Sequence, residues 1–130
     1  NLFFFPPVAK ADIPHFFDKA SVIISTTGPL KNLWKNSANK FFDAIAAKKP
    51  IVINHEGWLA DLIEKEEIGV VLPYDNPTKA ATILQSFIKD KKRIRKASEN
   101  CSELSRGEFS ESIICQKFVT ILESSYNRNS

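Results

Sequence analysis

Methionine is absent from this sequence of 130 residues, which also has only two cysteines and four glycines. Because translation begins at methionine, we expect the chain to be a piece of a longer protein. No stretch approaches the roughly 20 consecutive apolar residues that a membrane-spanning helix needs. The apolar fraction of 43% and the charged fraction of 25% are typical of a folded globular domain. These values exclude a disordered chain and a membrane span, and the length predicts one domain.

Charge and cysteine content narrow the class of protein further. The formal net charge is +3, with 15 acidic residues interspersed among 18 basic ones, so nucleic-acid binding is not predicted. Cys101 and Cys115 belong to no C-x-x-C motif and have no histidine near them in sequence. This arrangement favours buried free thiols in a reducing compartment over a disulfide. A reducing compartment agrees with a cytoplasmic location.

Short apolar runs alternate with segments of helical periodicity along the chain. The runs lack polar alternation, which is typical of strands covered on both faces, as in parallel sheets. They lie at residues 2–5, 22–24, 51–53 and 70–72. Helices are predicted at residues 13–20, 38–46, 58–63, 77–88, 91–105 and 110–122. This order predicts an α/β fold, a Rossmann-like parallel sheet of about four strands with flanking helices.

Two of the predicted helices carry clear local signals. Asn76 followed by Pro77 predicts an N-cap with proline in the first helical turn. The last helix has an apolar stripe at helical spacing. Its members are Ile113, Ile114, Phe118, Ile121 and Leu122.

Ligands of open α/β sheets bind at the carboxyl ends of the strands, which directs attention to the loops there. The loop at residues 25–39 enters a helix whose free N–H groups, with Lys40 beside them, are suited to phosphate. Asn39 and Asp43 are four residues apart and share one flank of that helix. The Asp43 carboxylate could accept two hydrogen bonds from a vicinal diol such as a ribose. By spacing alone, a capped amphipathic helix explains the same residues.

A family resemblance is carried by residues 36–58, which read NSANKFFDAIAAKKPIVINHEGW. This segment resembles the C-terminal, donor-binding domain of bacterial retaining GT-B glycosyltransferases. The group with the strongest likeness adds N-acetylfucosamine or similar amino sugars in O-antigen and capsule synthesis. The resemblance implies that residues 1–126 form part of a nucleotide-sugar-binding Rossmann-like domain, an incomplete C-terminal half of a GT-B fold. Residues 127–130 are expected to form a frayed tail.

The resemblance also implies roles for individual residues. Asp43 matches the second acid of the family's E-x7-E signature, which commonly binds the donor's ribose. Four residues match the loop and helix start against the donor's sugar and diphosphate, namely Ser37, Ala38, Asn39 and Lys40. Lys35 stands at the position of the first acid, and because lysine cannot accept a hydrogen bond, that acid's role does not transfer.

The loop after the third predicted run contains His55, Glu56 and Gly57. A His-Glu pair after a strand can be an acid/base couple or a pair of sugar contacts. We keep these residues as candidate contacts to donor or acceptor sugar, and we assign no catalytic residue. No second histidine or carboxylate stands at metal-ligand spacing, so no metal and no cofactor are predicted.

Partners follow from the same resemblance. We expect a nucleotide-sugar donor, UDP-linked, and a glycan or polyprenyl-linked acceptor. The basic run Lys89, Lys91, Lys92, Arg93, Arg95 and Lys96 is interpreted as a solvated helix end, with cations favourable near a helix C-terminus. Its alternative role is attraction to anionic lipid at the cytoplasmic face of the inner membrane.

The family's usual strand order, 3-2-1-4-5-6, creates a structural problem for this chain. The four predicted strands correspond to strands 3, 4, 5 and 6 of this order. Strands 2 and 1, which lie between strands 3 and 4 in the sheet, are missing. We expect residues 2–5 to pair at a new edge, to swap into a neighbouring copy as a dimer, or to hang loosely.

Two other functions stay open from the sequence. One is a nucleotide-sugar epimerase of GT-B fold. The run at residues 39–43 argues against this function. The other is a non-catalytic α/β binding module of receiver type, which would need acidic residues at the strand ends. The predicted strands instead end near Ser25, Asn54 and Pro73.

Overall fold

Three short parallel strands form the centre of the molecule in a computed structural model, which describes residues 2–29, 31–35 and 39–127. The sheet order is β1-β2-β3, where β1 is Ile23–Ser25, β2 is Ile51–Ile53 and β3 is Gly69–Val71. Ile51 pairs with Ile23 on one side and with Gly69 on the other. β2 is buried at all three positions because it has a neighbouring strand on each side.

The described residues also form six α-helices. Their bounds are α1 Ile13–Lys19, α2 Asn39–Ala46, α3 Trp58–Lys65, α4 Pro77–Lys89, α5 Lys91–Arg106 and α6 Glu111–Asn127. Two short 3₁₀ helices, Lys10–Asp12 and Lys31–Lys35, precede α1 and α2. The predicted order of helices and strands from residue 13 onward is therefore confirmed, with β1 and β3 each displaced by one residue from the predicted runs.

The core lies on both faces of the sheet because side chains of a strand alternate in direction. Ile51 and Ile53 pack with Phe41 and Ile45 of α2 and with residues of α3. Val52 and Val70, on the other face, pack with Phe87 of α4 and with Ala97 of α5. Helices therefore cover both faces, which is the arrangement expected for a parallel sheet.

The prediction of a strand at residues 2–5 is wrong. These residues lie outside the sheet, and Phe3 and Phe4 are 72% and 89% exposed. A strand needs a neighbouring backbone for its N–H and C=O groups, and no described segment pairs with this one. Pro6 and Pro7 follow directly and have no N–H to donate. The described sheet thus has three strands instead of four.

The two local helix signals have different outcomes. The Asn76 side chain accepts a hydrogen bond from the Lys79 backbone N–H at 2.9 Å, so the predicted N-cap is confirmed. Every member of the apolar stripe of α6 is exposed, by 37% to 62%, so the stripe belongs to neither core cluster of the described residues. Of the predicted tail 127–130, Asn127 ends α6, and residues 128–130 lie outside the described residues.

Candidate functional site

Three loops meet where the parallel strands end; their described residues are 26–29 with 31–35, 54–57 and 72–76. The first two are tied together by the Asn54 side chain. Its Oδ1 accepts from the Thr27 N–H at 2.8 Å, and its Nδ2 donates to the Thr27 carbonyl at 2.9 Å. Asn54 thereby satisfies both backbone groups of Thr27 and fixes the spacing of the two loops.

His55 lies below this surface and is only 3% exposed. Its Nδ1 is 3.0 Å from the Glu56 carbonyl oxygen. A carbonyl can only accept, so Nδ1 carries a proton, and Nε2 is the acceptor nitrogen when the ring is neutral. Within the described part of the chain, Nε2 has no hydrogen-bond partner. The second ring nitrogen is therefore available for a hydrogen bond with a ligand hydroxyl.

Gly57 allows the second loop, residues 54–57, to pack closely against the first. Its φ of +107° is one that side-chain-bearing residues rarely adopt, and a Cβ there would lie 3.3 Å from the Trp34 carbonyl oxygen. Trp34 is itself buried, and its ring centroid is 5.0 Å from that of Tyr74 in the loop after β3. Close packing of Gly57 on Trp34 thus connects all three loops.

Two buried polar atoms beside this contact have no hydrogen-bond partner among the described residues. They are the Trp34 Nε1 and the Thr27 Oγ1. Orphaned buried donors are uncommon because each costs about 1–3 kcal/mol of unrecovered hydration. Both atoms belong to the loops that Asn54 and Gly57 hold together.

A cavity of about 330 Å³ opens between the loops after β2 and β3. Its floor includes the buried His55 and Leu72, and exposed polar residues surround it. These are Glu56, Glu64, Tyr74, Asp75 and Lys79. The volume is at the lower end of the range for small-molecule sites, about 300–1,000 Å³. Three carboxylates and one ammonium give this cavity an acidic lining.

Asp43 lies elsewhere, exposed on α2. It lines a separate groove of about 400 Å³ against α1, together with Lys10, Phe17 and Asp18. Asn39 and Lys40 are exposed in the first turn of α2, one helical turn before Asp43. Ser37 and Ala38 lie outside the described residues. The predicted ribose residue and the predicted sugar contacts therefore line two different cavities.

The basic run differs from the sequence interpretation in one respect, whereas Lys35 does not. Lys35 is exposed at the end of the second 3₁₀ helix. Lys89 alone lies in the last turn of a helix, whereas the other five cations lie in the first two turns of α5. Cations are disfavoured at a helix N-terminus, so a favourable helix dipole does not explain the run. Lys92, Arg93 and Lys96 instead line a cavity of about 540 Å³ with Glu64 and Glu67.

The two cysteines are both free, as predicted, but only one is buried. Burial raises the pKa of the Cys101 thiol from 9.0 to about 12, because the thiolate would lose its hydration. Cys115 is exposed on α6, so the prediction of a second buried thiol is wrong. Within residues 2–29, 31–35 and 39–127, no group of three or more His, Cys, Asp or Glu side chains is arranged to hold a metal ion. No helix there is long and apolar enough to cross a membrane.

Four residues at this edge were missed by the sequence analysis, namely Trp34, Tyr74, Asp75 and Lys79. The same carboxyl-end rule, applied to the loop after the last strand, could have found Tyr74 and Asp75, whereas Lys79 follows that loop in the first turn of α4. Pro73 at the start of that loop predicts a turn and gives no sign that the aromatic and charged residues after it belong to a site. Trp34 carries no such signal, because its packing depends on Gly57, which is distant in sequence.

Comparison with known proteins gives no relative from which function could be transferred. No protein-family model, no curated protein and no solved structure matches this chain. The resemblance of residues 36–58 to GT-B glycosyltransferases therefore stays a prediction.

Proposed function

We propose that this chain is the donor-binding part of a retaining glycosyltransferase. The enzyme would move a sugar from a nucleotide, UDP-linked, to a surface polysaccharide or lipid-linked glycan. The observation that carries the proposal is the position of the resembling segment. Residues 39–57 contain α2, β2 and the His55 loop, and both the start of α2 and that loop lie where the strands end.

The sheet order lends support. Strands β1, β2 and β3 are parallel and adjacent in chain order, as strands 4, 5 and 6 are in the order 3-2-1-4-5-6. Residues 2–5, which would correspond to strand 3, have no neighbour in the sheet. A chain that lacked the two intervening strands would have this arrangement.

Asp43 and Lys40 have distinct parts in the proposed reaction. Asp43 accepts hydrogen bonds from the two ribose hydroxyls and so positions the donor. In the transfer step, the bond between the sugar's anomeric carbon and the diphosphate oxygen breaks, and the diphosphate takes the electron pair. A bond from the acceptor oxygen forms on the same face of the sugar, and the proton of that oxygen passes to the departing diphosphate oxygen. Lys40 and the free N–H groups of α2 stabilise the charge on the departing diphosphate.

Nucleotide titration of the chain, followed by amide NMR, tests the donor site. We expect UDP to shift the amide resonances of residues 39–43 with weak affinity, because Lys40 and Asp43 are exposed and water competes with the nucleotide for their hydrogen bonds. Asp43→Ala should weaken UDP binding about tenfold, the equivalent of one charge-assisted hydrogen bond. Asp43→Glu, which restores the family's usual acid, should retain binding.

Asp61→Ala is the matched control, since Asp61 is an exposed aspartate on the neighbouring helix α3. It should leave UDP affinity unchanged. Absence of UDP binding at millimolar concentration, or equal affinity of the Asp43→Ala variant and the wild type, would refute the donor site. We also expect no sugar transfer by the 130-residue chain alone, measured as release of UDP from UDP-N-acetylglucosamine.

A further inference from the structure

We propose that the cavity between the loops after β2 and β3 binds an uncharged or amine-bearing sugar ring, with His55 Nε2 accepting one of its hydroxyls. This cavity, which we term the sugar cavity, is lined by His55, Glu56, Tyr74, Asp75 and Lys79 among others. The proposal rests on the proposed function and deepens it, because it separates the sugar's site from the Asp43 groove. It also assigns Tyr74, Asp75 and Lys79, which the resemblance does not.

His55 provides the first argument. His55 is 97% buried, but its Nε2 is not one of the fully buried unpartnered atoms, which are Thr27 Oγ1 and Trp34 Nε1. The nitrogen is therefore open to water or to a ligand in the cavity that His55 lines. The Glu56 carbonyl holds a proton on Nδ1, so Nε2 is the acceptor nitrogen when the ring is neutral. A ligand that replaces water at Nε2 would carry a hydroxyl or an N–H group.

Charge provides the second argument. Glu56, Glu64 and Asp75 contribute three negative charges and Lys79 one positive charge, so the lining carries −2 with His55 neutral. Such a lining repels phosphate and other anions, and it favours neutral or cationic ligands. Carboxylates accept hydrogen bonds from several hydroxyls at once, which suits a polyol. The donor's diphosphate consequently belongs outside this cavity.

Tyr74 provides the third argument. Its ring is 42% exposed at the cavity, and its contact with the buried Trp34 at 5.0 Å holds it in place. An aromatic face beside carboxylates matches the two surfaces of a sugar ring, which are its C–H face and its hydroxyl edge. The sugar can come from the nucleotide donor or from the glycan acceptor, since both carry this chemistry.

Side-chain ¹⁵N NMR of the intact chain tests the inference directly. Methyl N-acetylglucosaminide and glucosamine are the free-sugar probes, and UDP, UDP-N-acetylglucosamine and inorganic phosphate are the others. We expect the sugars to shift the His55 Nε2 resonance upfield, as acceptance of a hydrogen bond does, and phosphate and UDP to leave it unchanged. Exposed His15 is the internal control and should not shift with any probe.

Two variants give a second measurement. His55→Phe removes the acceptor and should weaken sugar binding about tenfold, whereas His55→Gln keeps an acceptor near Nε2 and should bind nearly as the wild type does. His15→Phe should change nothing. If His55→Phe does not fold, the wild-type Nε2 titration alone decides.

The outcomes separate the two proposals and the two sources of sugar. If the wild type binds UDP-N-acetylglucosamine more tightly than UDP and His55→Phe binds the two equally, the donor's sugar occupies the cavity. Free-sugar binding that persists at saturating UDP-N-acetylglucosamine assigns the acceptor's sugar. If UDP shifts residues 39–43 while no sugar shifts Nε2, the sugar cavity is refuted and the proposed function is not. If sugars shift Nε2 and UDP does not bind, the proposed function is refuted and the sugar cavity is not. A shift with phosphate equal to that with sugar overturns the sugar assignment.

Discussion

The Asn54 side chain pairs with both backbone polar groups of Thr27, with donor–acceptor distances of 2.8 and 2.9 Å. Twenty-seven residues separate the two in sequence, and each follows a different strand. These two hydrogen bonds join the loops that follow β1 and β2, just beyond the last hydrogen bonds between the strands. It holds the loop that leads to Trp34 beside the loop that carries His55. The geometry of the candidate site therefore depends on an amide at position 54.

Asn54→Ala should destabilise the protein by about 2 kcal/mol, because two hydrogen bonds are lost at about 1 kcal/mol each. Asn54→Asp should not rescue stability, because a carboxylate can accept from the Thr27 N–H but repels the Thr27 carbonyl. Urea unfolding followed by circular dichroism measures both changes. Asn32→Ala, at an exposed position, is the control and should cost no more than about 0.5 kcal/mol. Equal stability of Asn54→Asp and the wild type would show that the Thr27 carbonyl bond contributes nothing.

Two phenylalanines with similar sequence surroundings should respond oppositely to truncation. Phe87 of α4 is 0% exposed between the sheet and α5, whereas Phe118 of α6 is 61% exposed. Phe87→Ala should cost about 3–5 kcal/mol through lost burial and the cavity left behind. Phe118→Ala should change the free energy of unfolding by no more than about 0.5 kcal/mol. Denaturant unfolding of both variants provides the check, and a large cost for Phe118→Ala would mean that α6 packs on the core.

The same contrast explains which parts of the fold the sequence can predict. Residues 51–53 form the predicted strand because β-branched side chains in an uninterrupted run suit a position between two other strands. Residues 2–5 show the same kind of run, but pairing also needs a neighbour, which an apolar pattern does not reveal. The stripe of α6 likewise predicts a helix and not what covers it. Local patterns thus predict elements, and contacts distant in sequence decide their surroundings.

The candidate site shows the same division. His55 and Glu56 were predicted from their place after a strand, and the structure puts both at a cavity. That Asp43 lines a different groove could not be predicted, because it depends on how α1 packs beside α2. The hydrogen bond of His55 Nδ1 to the Glu56 carbonyl likewise depends on the geometry of the loop, which the sequence does not reveal.

Alkaline pH should destabilise the protein through Cys101. Burial raises the pKa of this thiol to about 12 in the folded state, against 9.0 ordinarily. Below pH 9 both states hold the proton, and no effect arises. Between pH 9 and 12 the unfolded state loses the proton first, so the free energy of unfolding falls as pH rises. Cys101→Ala should show a shallower decline over this range in urea unfolding, because other groups that titrate there are common to both proteins.

Thiol labelling provides an independent check of the same burial. Native protein should react with a thiol reagent at exposed Cys115 only, and denatured protein at both cysteines. Cys115→Ser should abolish labelling of the native protein. Rapid native labelling of the Cys115→Ser variant would contradict the burial of Cys101 and the pH dependence that follows from it.

Substitution at two glycines should distinguish strain at the site from a general effect of adding a methyl group. Gly57→Ala should cost about 1–3 kcal/mol, because φ is +107° and the new Cβ would lie 3.3 Å from the Trp34 carbonyl oxygen. Gly28→Ala has no atom within 4 Å of its new Cβ and should be neutral or stabilising by up to about 1 kcal/mol.

Tryptophan fluorescence in a Trp58→Phe background, where Trp34 is the one remaining tryptophan, should change with Gly57→Ala and not with Gly28→Ala. Because Trp34 also contacts Tyr74, a shifted Trp34 should weaken sugar binding in the cavity as well. Identical stability and Trp34 emission for the two variants would contradict the close contact between Gly57 and Trp34.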